Sequence, residues 1–244
     1  MSILLDHPLC HPNGLAMNVP ILHEDAQLLV VCKPGGMLSQ ADETGDQDLV
    51  AWAKAYLRSA TRPDPYVGLV HRLDRPASGV MVLAKTRATA RELSRQFRER
   101  LPTKRYAALV RGETPLLGTC EDYIAKIDRT VRIVAPSDPQ GKRAELRYQR
   151  LARQDGRSLL DVTLLTGRPH QVRIQLATRG HPLVGDVRYG GSDAFDRRTI
   201  ALHCYALEVE HPEAQRPIRN QAPLPDTWPA FAHEALASRL RAYE

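Results

Sequence analysis

Acidic side chains, cysteine clusters and long apolar runs are what this chain of 244 residues has little of. Its four cysteines, Cys10, Cys32, Cys120 and Cys204, lie far apart and form no C-x-x-C pair, which excludes a disulfide framework and reads as free thiols in a reducing compartment. His7, Cys10 and His11 are close in sequence, but no second cluster with zinc spacing follows, so no metal is expected. No run approaches a membrane span, and the N-terminus carries Asp6 and no basic segment of the signal-peptide kind. A cytoplasmic protein without a membrane partner is therefore expected. Low-complexity segments and internal repeats are absent too. With 28 acidic against 34 basic side chains the formal charge is +6, which suits an anionic partner and is also compatible with simple solubility.

What the chain does contain is organised around residues 66 to 86, YVGLVHRLDRPASGVMVLAKT. Two apolar runs, Val67 to Val70 and Val80 to Ala84, have the look of buried strands. Between them His71 to Ser78 hold three cations, a carboxylate and a proline, so Asp74 falls on a short loop pinned at both ends. Leu73 can anchor that loop, Pro76 stiffens it, and Gly79 permits a backbone angle other residues resist. Arg72 and Arg75 on either side favour a charged carboxylate, as a nucleophile or base requires. Taken alone, the pattern equally describes a structural ion pair, which is the commoner use of an Asp beside Arg.

The rest of the chain supplies alternating elements without regular strand-helix repetition, which predicts an α+β fold with a largely antiparallel sheet. Leu28 to Cys32 is a strand, broken by the turn Lys33-Pro34-Gly35-Gly36, where Lys33 is either solvated or within reach of a phosphate. From Asp48, Leu49, Trp52, Ala53, Tyr56 and Leu57 fall at helical spacing, so the two aromatics belong to a core. Thr89 with Glu92 makes a capping-box pattern for a second helix bearing Ala90, Leu93 and Phe97. Its other face carries Arg87, Arg91, Arg95 and Arg98, either a solvated surface or a phosphate-binding ridge. RYAALVR, 105 to 111, alternates as a strand with Tyr106, Ala108 and Val110 on one face. Further strands are expected over 123 to 127, 131 to 135, 144 to 151, 159 to 165 and 200 to 209. Thr166-Gly167-Arg168-Pro169 predicts a helix start, with Val172 and Leu176 buried and Gly180 at the stop. His170 and Arg173 then share a face, and Arg168 and Arg173 near a helix N-terminus suit either a carboxylate or phosphate partner or open solvent. Residues 229 to 243 read as a closing helix.

These pieces resemble one family. HRLDRPASG (71 to 79), KRYAALVRG (104 to 112) and TGRPHQVRIQLATRGHPLVGD (166 to 186) look like the three signature regions of the RluA-type RNA pseudouridine synthases. LLVVCKPGGML (28 to 38) and LHCYALEVEHP (202 to 212) are similar to the family's opening and closing strands, and the likeness covers roughly residues 21 to 225 in order. The resemblance implies a pseudouridine synthase-like fold, a mixed and largely antiparallel sheet with flanking helices and a central cleft. Residues 1 to 20, rich in Pro, His and Asn and without periodicity, read as an irregular leader, and a single catalytic domain over 21 to 244 without an added S4-type domain is expected. Asp74 matches the catalytic aspartate, Tyr106 the tyrosine beside the target base, and Arg173 the basic residue that pairs with the aspartate. Arg72 is implied to fill the space that an extruded uridine leaves. Ala77, where threonine is usual, and Gln175, where histidine is common, depart from the pattern.

The expected substrate is ribosomal RNA, transfer RNA or both, as a stem-loop, bound by a monomer without cofactor or metal. His71, Arg72, Arg91, Arg95, Lys104, Arg105 and Arg168 are the candidate RNA contacts. Asp74 has three routes open, attack at C1′, attack at C6, or removal of a sugar proton to give a glycal. An inactive RNA-binding module on the same fold is the competing expectation. A two-carboxylate glycoside hydrolase lacks its second acid in these motifs.

Overall fold

The run Val80 to Ala84 lies within a strand, Ser78–Ala84, that is buried at all seven positions. Its side chains serve two cores alternately. Met81 and Leu83 join one apolar cluster and Val80, Val82 and Ala84 another, as the period of two requires when both faces of a sheet are covered. The computed structural model describes residues 18–59, 61–128, 130–191 and 198–241. The expected leader, with Cys10 and its neighbouring histidines, falls mostly outside them. Val19, however, packs into the main core.

In chain order the strands are β1 (Ile21–Glu24), β2 (Leu28–Lys33), β3 (Gly68–Leu69), β4 (Ser78–Ala84), β5 (Thr103–Arg111) and β6 (Leu117–Ile127). They continue as β7 (Thr130–Val134), β8 (Lys142–Gln154), β9 (Arg157–Leu164), β10 (Leu202–Glu210) and β11 (Pro217–Gln221). The helices are α1 (Leu49–Leu57), α2 (Arg87–Glu99), α3 (Gln171–Ala177) and α4 (Ala230–Arg241). All eleven strands form one sheet in the order β1-β2-β4-β10-β5-β9-β8-β6-β7, with β3 beside β4 and β11 beside β10. β4 and β10 run parallel. The other named strand pairs are antiparallel.

One face of the sheet carries α1 and α3, through Leu49, Trp52, Val172 and Leu176. The other carries α2, through Leu93, and α4, through Ala232 and Leu236. β5 divides its residues between them. Tyr106, Ala108 and Val110 face the α1 and α3 side, while Ala107 and Leu109 meet α4. Gly79 has φ +122, and a Cβ there would lie 2.3 Å from the carbonyl oxygen of Cys204. The strands approach this closely only because glycine presents no side chain at that point.

Several boundaries differ from the sequence expectation. The second helix begins at Arg87, three residues before Ala90. Thr86 is its N-cap, accepting from the amide of Thr89, and Glu92 pairs with Arg95 instead of closing a capping box. Pro169 precedes α3 and does not enter its first turn, because His170 takes the left-handed φ of 51° at the N-cap. The strand expected over 67 to 70 shortens to Gly68–Leu69, and β6 begins at Leu117, six residues before Tyr123.

Candidate active site

Asp74 sits on the loop before β4, and that loop is held from beneath. The Ser39 hydroxyl donates to the Leu73 carbonyl at 2.8 Å and accepts from the Leu73 amide at 3.3 Å. Lys33 is fully buried, not the solvated or phosphate-seeking lysine its turn suggests. Its Nζ donates to the carbonyls of Pro34 (2.9 Å), Met37 (2.8 Å) and Arg75 (3.3 Å). Burial pushes the Lys33 ammonium down to about 7, with Asp74 pulling the other way. Three carbonyl acceptors match the three N–H bonds of the ammonium and exceed the two of the free amine. Arg75 turns away from Asp74. Its Nε donates to the Gly36 carbonyl and its Nη2 pairs with Asp46, so it fastens the loop to the 33–36 turn.

Above the loop Arg173, in the first turn of α3, is the hub. It reaches Asp74 Oδ2 through Nη1 at 3.1 Å, and grips Asp186 through Nε at 2.7 Å and Nη2 at 2.9 Å. Exposure separates the two carboxylates, 1% for the Asp186 side chain and 21% for Asp74. Burial works against the Arg173 charge, and Asp186 with Asp74 more than restores it, holding the guanidinium above its ordinary value. His170 brings Nε2 to 4.0 Å from the same oxygen of Asp74, and its Nδ1 lies 2.8 Å from the Tyr189 hydroxyl. Burial lowers the His170 pKa against the pull of Asp74, which favours the neutral ring. The Tyr189 ring lies under the Arg173 guanidinium, 5.2 Å from ring centre to Cζ.

Tyr106 projects from β5 into the same cavity and is buried. Burial, then Cys204 and Asp74, raise its pKa well above the usual value, so it stands as a phenol. The cavity measures about 400 Å3 and brings together Arg72, Asp74, Tyr106, Arg168, Arg173 and Arg188. Among the described residues that line it, Asp74 is the one carboxylate. Among the described residues no group of three or more His, Cys, Asp or Glu is placed to hold a metal.

Of the candidate RNA contacts, Arg72 and Arg168 line this cavity, and the others have different surroundings. His71 stacks on Phe97 and accepts from the Val82 amide at 3.0 Å, so it supports β4. Arg105 pairs with buried Asp161, which also binds Tyr205 and Arg239; that network ties α4 to the sheet instead of facing a substrate. Arg95 is held by Glu92 and Glu99, which removes it from the expected ridge, while Arg91 stays exposed on α2. Lys104 lies over the Phe97 ring and next to Gly167, at the edge of the site. Asp186 and Tyr189 are not among the residues the sequence singles out, and Lys33 supports the loop from beneath instead of meeting solvent or a phosphate. Asp186 had a visible signal, since the motif containing Arg173 ends in that carboxylate.

The family model described as RNA pseudouridylate synthase matches residues 27–178. The chain belongs to the RNA pseudouridylate synthase family. It is 34% identical to the ribosomal large subunit pseudouridine synthase C of Pasteurella multocida, over 84% of this chain and 64% of that protein. The dual-specificity RNA pseudouridine synthase RluA of Yersinia pestis is 35% identical over 81% of this chain and 95% of its own length. The chain therefore spans about two thirds of the longer relatives and nearly all of the shorter one. Among solved structures, human RNA pseudouridylate synthase domain containing 1 superposes with a TM-score of 0.73 at 25% identity, covering 96% of this chain and 98% of that one. The sheet with its flanking helices is thus the pseudouridine synthase fold. Within that fold the two departures from the family pattern occupy buried positions. Ala77 is 1% exposed, and Gln175 donates to Asp122 at 2.7 Å, joining α3 to β6.

Proposed function

We propose that this protein isomerises uridine in structured RNA to pseudouridine, with Asp74 as the carboxylate that engages the target nucleotide. The observation that carries the reading is the placement of Asp74 at a basic cavity, half-buried and held by an arginine that a second, buried carboxylate anchors. A carboxylate so held is aimed before substrate arrives, and positioning of this kind supplies much of an enzyme's rate.

In the reaction the N1–C1′ bond breaks, the uracil turns, and C5 joins C1′. The proton lost from C5 is balanced by one gained at N1, so nothing is consumed and no cofactor is called for. Reaching C1′ requires the uridine to leave its stack at a cost of a few kcal/mol, which phosphate contacts offset. Arg72, exposed next to Asp74, is suited to fill the gap left behind. Tyr106 is suited to stack on the uracil and, as a phenol, to relay the C5 proton through its hydroxyl. Attack by Asp74 on C1′, attack on C6 and glycal formation all begin from this one geometry.

Large-subunit ribosomal RNA is the substrate we propose, in keeping with the relatives' names, and transfer RNA is the second substrate to test. A cytoplasmic monomer is the expected form. The deciding experiment measures tritium release from C5-labelled uridine in an unmodified ribosomal RNA transcript. Release by the wild type and its loss in a folded Asp74→Asn protein supports the assignment. Equal release by both ends it.

A further inference from the structure

A second cavity, of about 340 Å3, opens beside the first and shares Lys126, Val131, Arg168 and Pro169 with it. Strand register explains its composition. Lys142 of β8 stands opposite Ile124 of β6, and Lys126 of β6 stands opposite Val131 of β7. Ile124 and Lys126 are two apart, so all four side chains lie on one face of the sheet. Ile124 and Val131 are buried against Ile174 of α3 and make an apolar floor, while the lysines stand exposed above it. Arg168 closes the other side. Its Nε donates to the Arg143 carbonyl at 2.9 Å, which fixes the guanidinium and leaves its terminal nitrogens for another partner. Burial, and then Arg100 nearby, lower its pKa. No carboxylate is among the described residues that line the cavity.

We infer that this second cavity receives the ribose-phosphate unit adjoining the extruded uridine, its phosphate between Lys126, Lys142 and Arg168 and its ribose over the apolar floor. The inference rests on the proposed reaction at Asp74 and extends it to the path of the substrate strand. Exposed lysines on a strand ordinarily do no more than keep a surface soluble. Here three cations converge over an apolar floor with no anion among the described lining residues, and the cavity is continuous with the one holding Asp74. Like charges gathered in this way repel unless an anion joins them, and a phosphodiester is the anion that the neighbouring cavity would deliver. The volume lies within the range of small-molecule sites.

The test uses the full chain and an unmodified transcript of large-subunit ribosomal RNA, with binding measured by filter retention across a salt series. Lys126→Gln and Lys142→Gln keep side-chain length, and their thermal unfolding is checked against wild type. Each is expected to lower the slope of log affinity against log salt by about one, and the pair together by about two. Affinity at low salt should fall roughly 10-fold for the pair, and KM should rise in step. Arg219→Gln on β11, whose arginine pairs with Glu208, should leave the slope unchanged. A double lysine variant with the wild-type slope overturns the inference. Because binding is read without turnover, RNA held through these lysines but never isomerised would overturn the catalytic reading and leave this one standing.

Discussion

Asp186 takes two nitrogens of Arg173, at 2.7 and 2.9 Å, and leaves the third for Asp74. The two carboxylates thus have unequal holds on one guanidinium. Asp186→Asn leaves a buried arginine short of its main counter-charge, and the expected cost is about 3–5 kcal/mol of stability. Asp74→Asn, at a more exposed site with one bond, should cost about 1 kcal/mol or less and abolish turnover. Urea unfolding of both variants measures the difference, and equal losses would contradict the anchoring role of Asp186.

Tyr106→Phe tests what the hydroxyl contributes. The ring remains and fills the same space beside Ala108 and Leu202, so RNA affinity should stay within about 3-fold of wild type. The proposed proton relay would be lost, and kcat should fall on the order of 100-fold. Single-turnover kinetics on the transcript separate the two, and an unchanged kcat would reduce Tyr106 to a stacking surface.

Lys33→Met removes the donor shared by three carbonyls while nearly preserving volume. The orphaned acceptors should cost about 2–4 kcal/mol. Amide exchange at Leu73 and Asp74 should quicken as the loop loses its support. Slow exchange in a folded Lys33→Met protein would show that the Ser39 and Arg75 contacts suffice.

Acid should unfold the protein through two histidines. Burial, helped by Lys104, pushes His71 down to about 3, and burial pushes His203 down to about 4. Both fold as neutral rings, His71 accepting from the Val82 amide and His203 bonded to Ser78. The unfolded chain protonates them near 6.5, so their contribution is complete above that pH and is lost as pH falls toward 4 and 3. The slope approaches about 1.4 kcal/mol per pH unit for each histidine. Urea midpoints across this interval check the slope, and proton NMR should show neither ring titrating near 6.5 in the folded state.

How far the sequence disclosed this site depends on the kind of interaction. That Asp74, Tyr106 and Arg173 meet at one cavity was legible because each sits in an ordered motif, and the two faces of β5 follow from its alternation. Arg105 misled because a cation in sequence carries no sign of a partner far along the chain, and Arg95 because the excess of cations around it outweighed its two near carboxylates. Asp161 lies 56 positions beyond Arg105, whereas Glu92 and Glu99 were within one or two turns of Arg95. Lys33 misled too, since its acceptors are backbone carbonyls that composition cannot reveal. The early part of β6 was missed because GTCED is polar, its pairing to β8 resting on backbone bonds and a few buried positions.

The parallel contact of β4 with β10 has a consequence for the order of assembly. It joins Ser78 to His203, 125 positions apart, and lies where the Asp74 loop runs into the sheet. A chain still emerging from the ribosome can pair β2 with β4, and later β5 with β9, from what is already made. It cannot close the seam between those halves until residue 204 is free. Contacts of such long range are slow to form because the intervening chain must be ordered first. Catalytic competence should therefore arrive last, after most of the secondary structure, and refolding followed by activity should lag refolding followed by circular dichroism.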